Sequence, residues 1–311
     1  MSNHPPRHRV VLTLGGNALI RPGEEGSTRE QWRRAINLAK CIGEMPPSIN
    51  LVLTHGNGPQ VGRVLLRSDL CADEIPPIPV DLAVANTQGE IGLMLQQAID
   101  SRTERRAVAV LTQVVVNKED PGFLNPTKFI GGFFDESEAK RRADEMGWIV
   151  KEDPGRGWRR VVPSPEPLEV VEQGAIESLL DGGFTVIACG GGGVPVVRSG
   201  DRIRGVEAVI DKDRSSALLA HLLNAQSLIS LTGVDEVMLD FGTPNQRPLR
   251  KITVAEAEAY LAEGQFPEGS MGPKVRAGLQ FLKDGGQELI ITSPELLPEA
   301  LRGERGTRIV P

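Results

Sequence analysis

Aromatic residues are scarce in this sequence: they make up 4% of its 311 residues, with three tryptophans and a single tyrosine. Proteins that bind single-stranded nucleic acid stack bases on such side chains. The net charge of −6 also opposes binding to a phosphate backbone, and basic pairs such as Arg105-Arg106 are too short to change that balance. We therefore expect no nucleic-acid partner.

Cysteines are also few, and long apolar runs are missing. Cys41, Cys71 and Cys189 are odd in number and widely spaced, which is typical of reduced thiols rather than of disulfides or a metal knot. No apolar run reaches the ~20 residues that a membrane helix needs. Residues 1–9 are polar and lack the apolar centre of a signal peptide. These features predict a cytoplasmic protein without a membrane partner.

The motifs of several common enzyme classes are missing as well. The chain has no GxxxxGK[ST] P-loop and no GxGxxG after its first predicted strand, which disfavours a Rossmann cofactor site. It also has no HExxH or CxxC zinc motif and no GxSxG nucleophile elbow. A resident metal ion is therefore not expected.

Glycine, in contrast, is abundant: 35 of 311 residues, or about 11%, are glycine, where ~7% is typical. Four glycines follow one another at residues 190–193, directly after the apolar run 184–189. We call residues 190–193 the tetraglycine segment. By itself such a segment is more often a surface loop. Three other apolar runs, however, end near glycines at Gly15, Gly56 and Gly233, and ligands of α/β sheets bind at strand ends. The repetition favours a phosphate-handling site.

Apolar strand-like runs alternate with helical patterns along most of the chain. This alternation predicts a mostly parallel sheet covered on both faces, in a three-layer αβα sandwich. The predicted strands are residues 10–14, 50–54, 108–112, 184–189, 227–231 and 288–292, with a hairpin at 196–204 and an edge strand at 307–310. The predicted helices are residues 27–43, a helix opened by Pro59, 81–99, 166–180, 211–223, 253–262 and 274–282.

Residues 117–162 interrupt the alternation. Their composition is mixed, with a polar helical pattern at 135–146 between a glycine pair and two short strand-like runs, 148–150 and 159–162. A structureless loop of this length is uncommon inside a domain. We therefore predict a small α/β flap that protrudes from the main sheet.

Three lysines stand in settings that suit a bound anion. Lys212 lies between Asp211 and Asp213 at a predicted helix start, where N–H groups attract phosphate oxygens. There Lys212 would neutralise a phosphoryl group, and Asp211 would orient the lysine. The alternative is a solvated helix cap whose charges are simply exposed. Lys274 would oppose the dipole of its helix unless an anion were bound. Lys128 lies on the flap, where a lysine is usually just solvated.

His55 precedes a glycine turn, and its residue type leaves two roles open. An imidazole beside a glycine-rich strand end suits proton transfer. A structural hydrogen bond to a loop carbonyl is an equally good explanation, so the sequence does not decide between them.

With these residues in view, the chain resembles the carbamate kinases of the amino acid kinase family. The resemblance runs from about Val10 to the C-terminus and depends on nine motifs in combination. They are residues 14–19 (LGGNAL), 54–62 (THGNGPQVG), 88–92 (QGEIG), 125–128 (NPTK), 162–165 (VPSP), 190–195 (GGGGVP), 205–213 (GVEAVIDKD), 231–235 (LTGVD) and 269–275 (GSMGPKV).

The resemblance implies a reaction and an organisation. The reaction is phosphoryl transfer between carbamoyl phosphate and ADP, giving ATP and carbamate, with Mg²⁺ entering with the nucleotide. The organisation is one amino acid kinase domain over residues 1–311 that forms a homodimer. Within it the acceptor-side half would be residues 10–116 and 163–200, the flap 117–162, and the nucleotide-binding half 201–311.

The resemblance also assigns roles to residues. Catalysis would use Lys128, Asp211, Lys212 and Lys274. Carbamoyl phosphate and the transferring phosphoryl group would contact Gly15, Gly16, Asn17, Gly56, Asn57, Gly191 and Gly192 through backbone and amide donors. The nucleotide would contact Asp213, Thr232, Asp235, Met271 and Lys274. Such a set suits phosphoryl transfer, which needs alignment and charge neutralisation more than covalent chemistry.

Two positions depart from the family pattern. Phe129 stands where proline is usual after the flap lysine, and Leu93 stands where an aromatic residue is common. They leave open a kinase of the same fold that acts on another small carboxylate or phosphonate. A non-catalytic metabolite sensor is a second alternative, which the three lysines disfavour. A role in arginine catabolism is an expectation from the family alone.

Overall fold

The computed structural model describes residues 8–15, 19–20, 24–153 and 155–311. Within them the strands are β1 (Arg9–Leu14), β2 (Asn50–His55), β3 (Ala107–Ala109), β4 (Gln113–Val116), β5 (Lys128–Phe134), β6 (Ile149–Asp153), β7 (Gly157–Val162), β8 (Pro167–Val170), β9 (Thr185–Ile187), β10 (Val194–Ser199), β11 (Arg202–Gly205), β12 (Ser227–Leu231), β13 (Val237–Leu239), β14 (Arg247–Leu249), β15 (Lys251–Thr253), β16 (Glu288–Thr292) and β17 (Thr307–Val310).

The helices of the same residues are α1 (Thr28–Gly43), α2 (Gly58–Leu70), α3 (Val80–Arg102), α4 (Glu136–Met146), α5 (Gln173–Asp181), α6 (Lys212–Leu222), α7 (Val254–Ala262), α8 (Met271–Lys283) and α9 (Leu297–Leu301). Short 3₁₀ turns lie at Pro121–Phe123, Gly190–Gly192 and Pro294–Leu296. None of these described helices is long and apolar enough to cross a membrane.

The main layer is an eight-stranded sheet in the order β15-β17-β16-β12-β1-β2-β9-β3. Its six strands from β16 to β3 run parallel, and only the pair of β16 and β17 is antiparallel. The glycine-rich segments after β12, β1, β2 and β9 therefore follow four neighbouring strands along one edge of the sheet. This arrangement confirms the predicted α/β sandwich.

The central strands β1, β2 and β12 are buried along almost their whole length because helices cover both faces of the sheet. Val11 of β1 packs towards α5, α6 and α8, where it shares a core with side chains such as Leu219 and Phe281. The next residue, Leu12, packs towards α1 and α3, with side chains such as Leu95. Successive residues of a strand point to opposite faces, so both cores draw on the same short runs of sequence.

Beside the main sheet the described residues form three smaller ones, the last of which is the pair β13-β14. The order β11-β10-β4-β8 forms the first, and the antiparallel order β5-β7-β6 forms the second, with α4 against it. This second sheet contains most of the segment predicted to protrude. It contacts α2 closely, because a Cβ on Gly62 would lie 3.0 Å from the Cα of Gly131. That contact fixes β5 relative to the strand ends of the main sheet.

Three predicted elements were wrong in part. The helix expected at residues 166–180 begins only at Gln173, because the residues before it form β8 and pair with β4. The strand expected at 108–112 ends at Ala109, since the chain then crosses to β4 in another sheet. The last strand, β17, is not at the edge of its sheet, because β15 pairs with its outer side.

The tetraglycine segment is a buried 3₁₀ turn rather than a loop. Gly191, Gly192 and Gly193 have φ angles of 66°, 93° and 88°, in the left-handed region that favours glycine. A Cβ on Gly191 would lie 2.2 Å from the Nδ2 of Asn57, and one on Gly192 would lie 2.2 Å from the carbonyl oxygen of Ile210. The segment therefore needs glycine for close contact with protein atoms, whatever it contributes to a ligand.

We expect Gly191→Ala to lower the free energy of unfolding by about 3 kcal/mol, because it combines left-handed strain with overlap at a buried amide. Gly200→Ala is the matched control. Gly200 also has a positive φ, of 58°, but no atom lies within 4 Å of its would-be Cβ. It should cost only about 1 kcal/mol. Urea denaturation measures both, and equal losses would contradict the packing explanation.

Candidate active site

The start of α6 holds the charged residues that the sequence singles out. Asp211 caps the helix, and its Oδ1 accepts a hydrogen bond of 2.9 Å from the backbone N–H of Asp213. Its other oxygen, Oδ2, accepts from the Nζ of Lys128 on β5 at 2.8 Å. One carboxylate thus joins the second small sheet to the main domain at the first turn of α6.

The pKa of Asp211 reflects these contacts. Burial would raise it, but the ammonium groups of Lys128 and Lys212 and the N–H of Asp213 have the larger combined effect. Together they hold the pKa of Asp211 well below its ordinary value. Asp211 is therefore an anion at neutral pH and a permanent counter-ion for Lys128.

Asp213 lies between two further lysines. Its Oδ1 accepts from the Nζ of Lys212 at 2.5 Å, and its Oδ2 accepts from the Nζ of Lys274 at 3.1 Å. Asp213 is buried and the two lysines are largely covered, with 8%, 12% and 13% of the side-chain surfaces of Asp213, Lys212 and Lys274 exposed. Burial opposes the charge of Asp213, yet the two ammonium groups outweigh it and lower its pKa. For Lys212 burial dominates and lowers its pKa as well.

The structure therefore brings together five of the predicted residues, from β5 and from the first turns of α6 and α8. Their three ammonium groups and two carboxylates leave an excess of one positive charge, 3 − 2 = +1. The positive ends of the dipoles of α6 and α8 lie beside the same group. A cluster of this charge next to helix N-termini is suited to bind phosphate.

The predicted phosphate-binding glycines follow β1, β2 and β9, but some of their donors are occupied. The N–H of Gly15 donates to the carbonyl of Leu231, and the N–H of Gly56 donates to that of Leu14, both at 3.0 Å. The N–H of Gly192 donates to the carbonyl of Cys189. These three groups extend the sheet or close the 3₁₀ turn, so they do not act as free donors. Gly16 and Asn17 lie outside the described residues.

Three of the predicted nucleotide residues lie outside the cluster. Thr232 follows β12, and its N–H donates to the carbonyl of Thr292. Met271 opens α8, the helix that carries Lys274. Asp235 is exposed, and no hydrogen bond or ion pair joins its carboxylate to the cluster within the described part of the chain. The structure places these three near strand and helix ends without direct contacts to the lysines.

Comparison with known proteins places the chain in a family. Residues 8–293 match the model of the amino acid kinase family. The chain belongs to that family. It is 48% identical to a carbamate kinase of Pyrococcus horikoshii, over 97% of this chain and 99% of the relative. It is equally similar, at 48% over 97% and 98%, to the carbamate kinase-like protein YahI of Escherichia coli.

Among solved structures, a carbamate kinase of Giardia lamblia bound to AMP-PNP is similar in sequence and in fold. The identity is 42%, the TM-score is 0.90, and the match covers 97% of this chain and 98% of that one. Because the match covers nearly the whole of this chain, it includes the main sheet and the smaller sheets together.

Two residues of α3 that the sequence analysis did not assign also support the site. The hydroxyl of Thr87 accepts a hydrogen bond of 2.8 Å from the Nδ2 of Asn57. The amide of Gln88 pairs with both the N–H and the carbonyl of Thr112. The QGEIG motif at residues 88–92 drew attention to this helix and includes Gln88, but it does not include Thr87. Gly92 of that motif provides close packing, since its Cβ would lie 2.9 Å from the Cβ of Ala109.

His55 has a structural environment in this kinase. Its side chain is buried, its Nδ1 is 3.1 Å from the carbonyl oxygen of Gly56, and a Cβ on Gly190 would lie 2.4 Å from its Nε2. Burial lowers the pKa of His55 to about 4, although the hydrogen bond to Gly56 opposes that change. The imidazole is therefore neutral at pH 7 and packs against the tetraglycine segment.

The lowered pKa makes stability depend on pH. The contribution of His55 is fully present above its ordinary pKa of 6.5 and is lost as the pH falls towards about 4. Between pH 7 and pH 5 the wild type should lose about 2 kcal/mol more than His55→Asn, which cannot titrate. Urea denaturation at both pH values measures this. The exposed His221, changed to Asn, is the control; equal losses in the wild type and His55→Asn would disprove the assignment.

Proposed function

We propose that this chain transfers a phosphoryl group reversibly between carbamoyl phosphate and ADP, giving ATP and carbamate. The observation that carries the proposal is the cluster of Lys128, Lys212 and Lys274 around Asp211 and Asp213 at two helix N-termini. Relatives at 48% identity over nearly the full length are named carbamate kinases, which supports the same activity here.

In the proposed reaction the terminal phosphate oxygen of ADP attacks the phosphorus of carbamoyl phosphate. A P–O bond to ADP forms while the P–O bond to the carbamoyl group breaks, and carbamate leaves as an anion with the bonding electron pair. The attacking oxygen is already ionised, so no general base is needed. The task of the protein is to align the two anions and offset their charge.

The lysines are suited to that task because each already has a carboxylate partner. Asp211 holds Lys128, and Asp213 holds Lys212 and Lys274, in fixed directions before a ligand arrives. Phosphoryl oxygens would accept hydrogen bonds from the remaining N–H groups of these lysines. Because the donors are preorganised, little rearrangement is needed as charge develops in the transition state.

Mg²⁺ bound to ADP or ATP is the cofactor that we propose. In the described part of the chain no three His, Cys, Asp or Glu side chains form a metal-binding group, and both cluster aspartates are paired with lysines. Mg²⁺ typically keeps several waters and takes one or two carboxylates together with substrate phosphates. The donor set fits an ion that enters with the nucleotide, with the exposed Asp235 as an accessible carboxylate. Once bound, it would neutralise phosphate charge.

We further propose the division of the chain that the family implies, with an acceptor side at residues 10–116 and 163–200, a flap at 117–162 and a nucleotide side at 201–311. The tetraglycine segment then lies where the two sides meet.

A cytoplasmic location remains a prediction from cysteine usage. Cys41, Cys71 and Cys189 are free thiols.

A homodimer through α3 is the assembly that we favour. Leu82 and Leu93 of α3 and Leu111 beyond β3 are exposed, with 51%, 52% and 60% of their surfaces accessible. Exposed leucines near one helix suit contact with a second copy of the chain, since most soluble oligomers are symmetric. Leu93 would then act at the interface and not at the acceptor.

The function test is ATP formation from carbamoyl phosphate, ADP and Mg²⁺, with luciferase detection. We expect robust formation with this donor. In the reverse direction, kcat/KM is measured with ATP for each of four acceptors: carbamate, acetate, glutamate and a small phosphonate. A higher value for another acceptor would establish the alternative kinase. No turnover by folded protein that binds ADP would favour the sensor.

Lys212→Ala should lower kcat by about 10²–10³-fold, because it removes a buried donor aimed at the transferring group. Binding of ADP, measured by calorimetry, should weaken far less. Lys251→Ala is the control, since Lys251 is exposed on the edge strand β15. Equal losses in kcat and in ADP affinity would show that Lys212 is only a binding residue.

A further inference from the structure

Thr87 has a hydroxyl whose direction is fixed by its surroundings. The residue is fully buried, and its O–H donates to the carbonyl of Val84 at 2.7 Å. A carbonyl only accepts, so the single hydrogen of this hydroxyl is used there. What Thr87 offers to its other neighbours is therefore a lone pair.

That lone pair decides the orientation of Asn57. Its amide faces Thr87 at 2.8 Å, and because the hydroxyl oxygen can only accept, the amide group turned to it must be the NH₂. The tetraglycine segment closes the other side, since a Cβ on Gly191 would overlap the whole amide, 2.2 Å from Nδ2 and 2.9 Å from Oδ1. The amide of Asn57 therefore lies between the hydroxyl of Thr87 and the tetraglycine segment.

The consequence is that the carbonyl oxygen of Asn57 is left for something else. No described residue donates a hydrogen bond to its Oδ1, and this oxygen is not among the fully buried side-chain atoms that lack a partner, so it stays accessible on a residue that is otherwise buried. An accessible acceptor in such a place is available to a ligand that brings an N–H group. Asn57 also stands in the first turn after β2, on the predicted acceptor side.

We propose that Thr87 is a positioning residue that makes Asn57 present its carbonyl oxygen to the amino group of the carbamoyl substrate. This inference rests on the proposed function. Carbamoyl phosphate and acetyl phosphate have nearly the same shape, and they differ by NH₂ in place of CH₃. Only the NH₂ can donate to Oδ1, so the pair of Thr87 and Asn57 selects a carbamoyl group over an acyl group. Sites that hydrogen-bond a substrate N–H reject analogues that lack it.

The variants Thr87→Val and Thr87→Ser separate this role from packing. Valine keeps the shape but removes the lone pair, so the amide of Asn57 is free to turn over and present its NH₂. Serine keeps the hydroxyl. The readout is the ratio of kcat/KM for carbamoyl phosphate to that for acetyl phosphate, at saturating ADP.

We expect Thr87→Val to lower this ratio by about tenfold or more, and Thr87→Ser to stay within about twofold of the wild type. The KM for ADP should not change in either variant, because neither Thr87 nor Asn57 is among the residues that we propose for nucleotide binding. If Thr87→Val leaves the ratio unchanged, or slows both substrates in parallel, Thr87 has only a structural role and the proposal is overturned.

A binding experiment keeps the inference testable without turnover. Phosphonoacetamide carries the NH₂ group on a stable phosphonate, and acetonylphosphonate carries CH₃ in its place. Calorimetry with ADP present should show that the wild type binds the amide about tenfold more tightly and that Thr87→Val loses this preference. Equal binding of both by the wild type would overturn the inference. The expected preference without any ATP formation would reject the proposed function while supporting the role of Thr87.

Discussion

The carboxylate of Asp213 lies between the ammonium groups of Lys212 and Lys274, and this buried contact determines how the first turns of α6 and α8 meet. Without the carboxylate, two buried cations would face each other next to two helix N-termini, an arrangement that burial and the helix dipoles both oppose. Asp211 does the same for Lys128, across the gap between β5 and α6. The charged group is therefore assembled by its own counter-ions, and a phosphate ligand meets donors that are already in place.

The second constraint is steric. The tetraglycine segment can contact Asn57, Ile210 and the ring of His55 only because none of its residues has a Cβ. Three positive φ angles in succession turn the chain from β9 into β10, so one segment connects the main sheet to the sheet β11-β10-β4-β8 while it packs against the strand end after β2. Thr87 completes this contact from α3. In the role that we propose for Thr87, packing and substrate recognition use the same atoms.

Local patterns in the sequence predict most of the main sheet, and particular residues explain the exceptions. The strands β1, β2, β12 and β16 are short, mostly apolar runs, so their existence follows from burial on both faces. The strand β8 was mistaken for helix because its few residues acquire their partner, β4, from a distant part of the chain. The ion pairs of Lys128 and Asp213 link residues 83 and 61 positions apart, and only the family resemblance brought these lysines together beforehand. The hydroxyl of Thr87 had no signal of its own, since its effect depends on how Asn57 is oriented.

The ion pair of Lys128 and Asp211 also sets the terms of ligand binding. This lysine is already neutralised by Asp211, so an incoming phosphate shares the ammonium group with a carboxylate. The phosphate gains less from that contact than it would from an unpaired lysine, because the carboxylate repels it. A product anion is released under the same rule, since Lys128 keeps its counter-ion as the product leaves. An enzyme that works in both directions benefits from such a balance, since neither the substrate nor the product is held too tightly to leave.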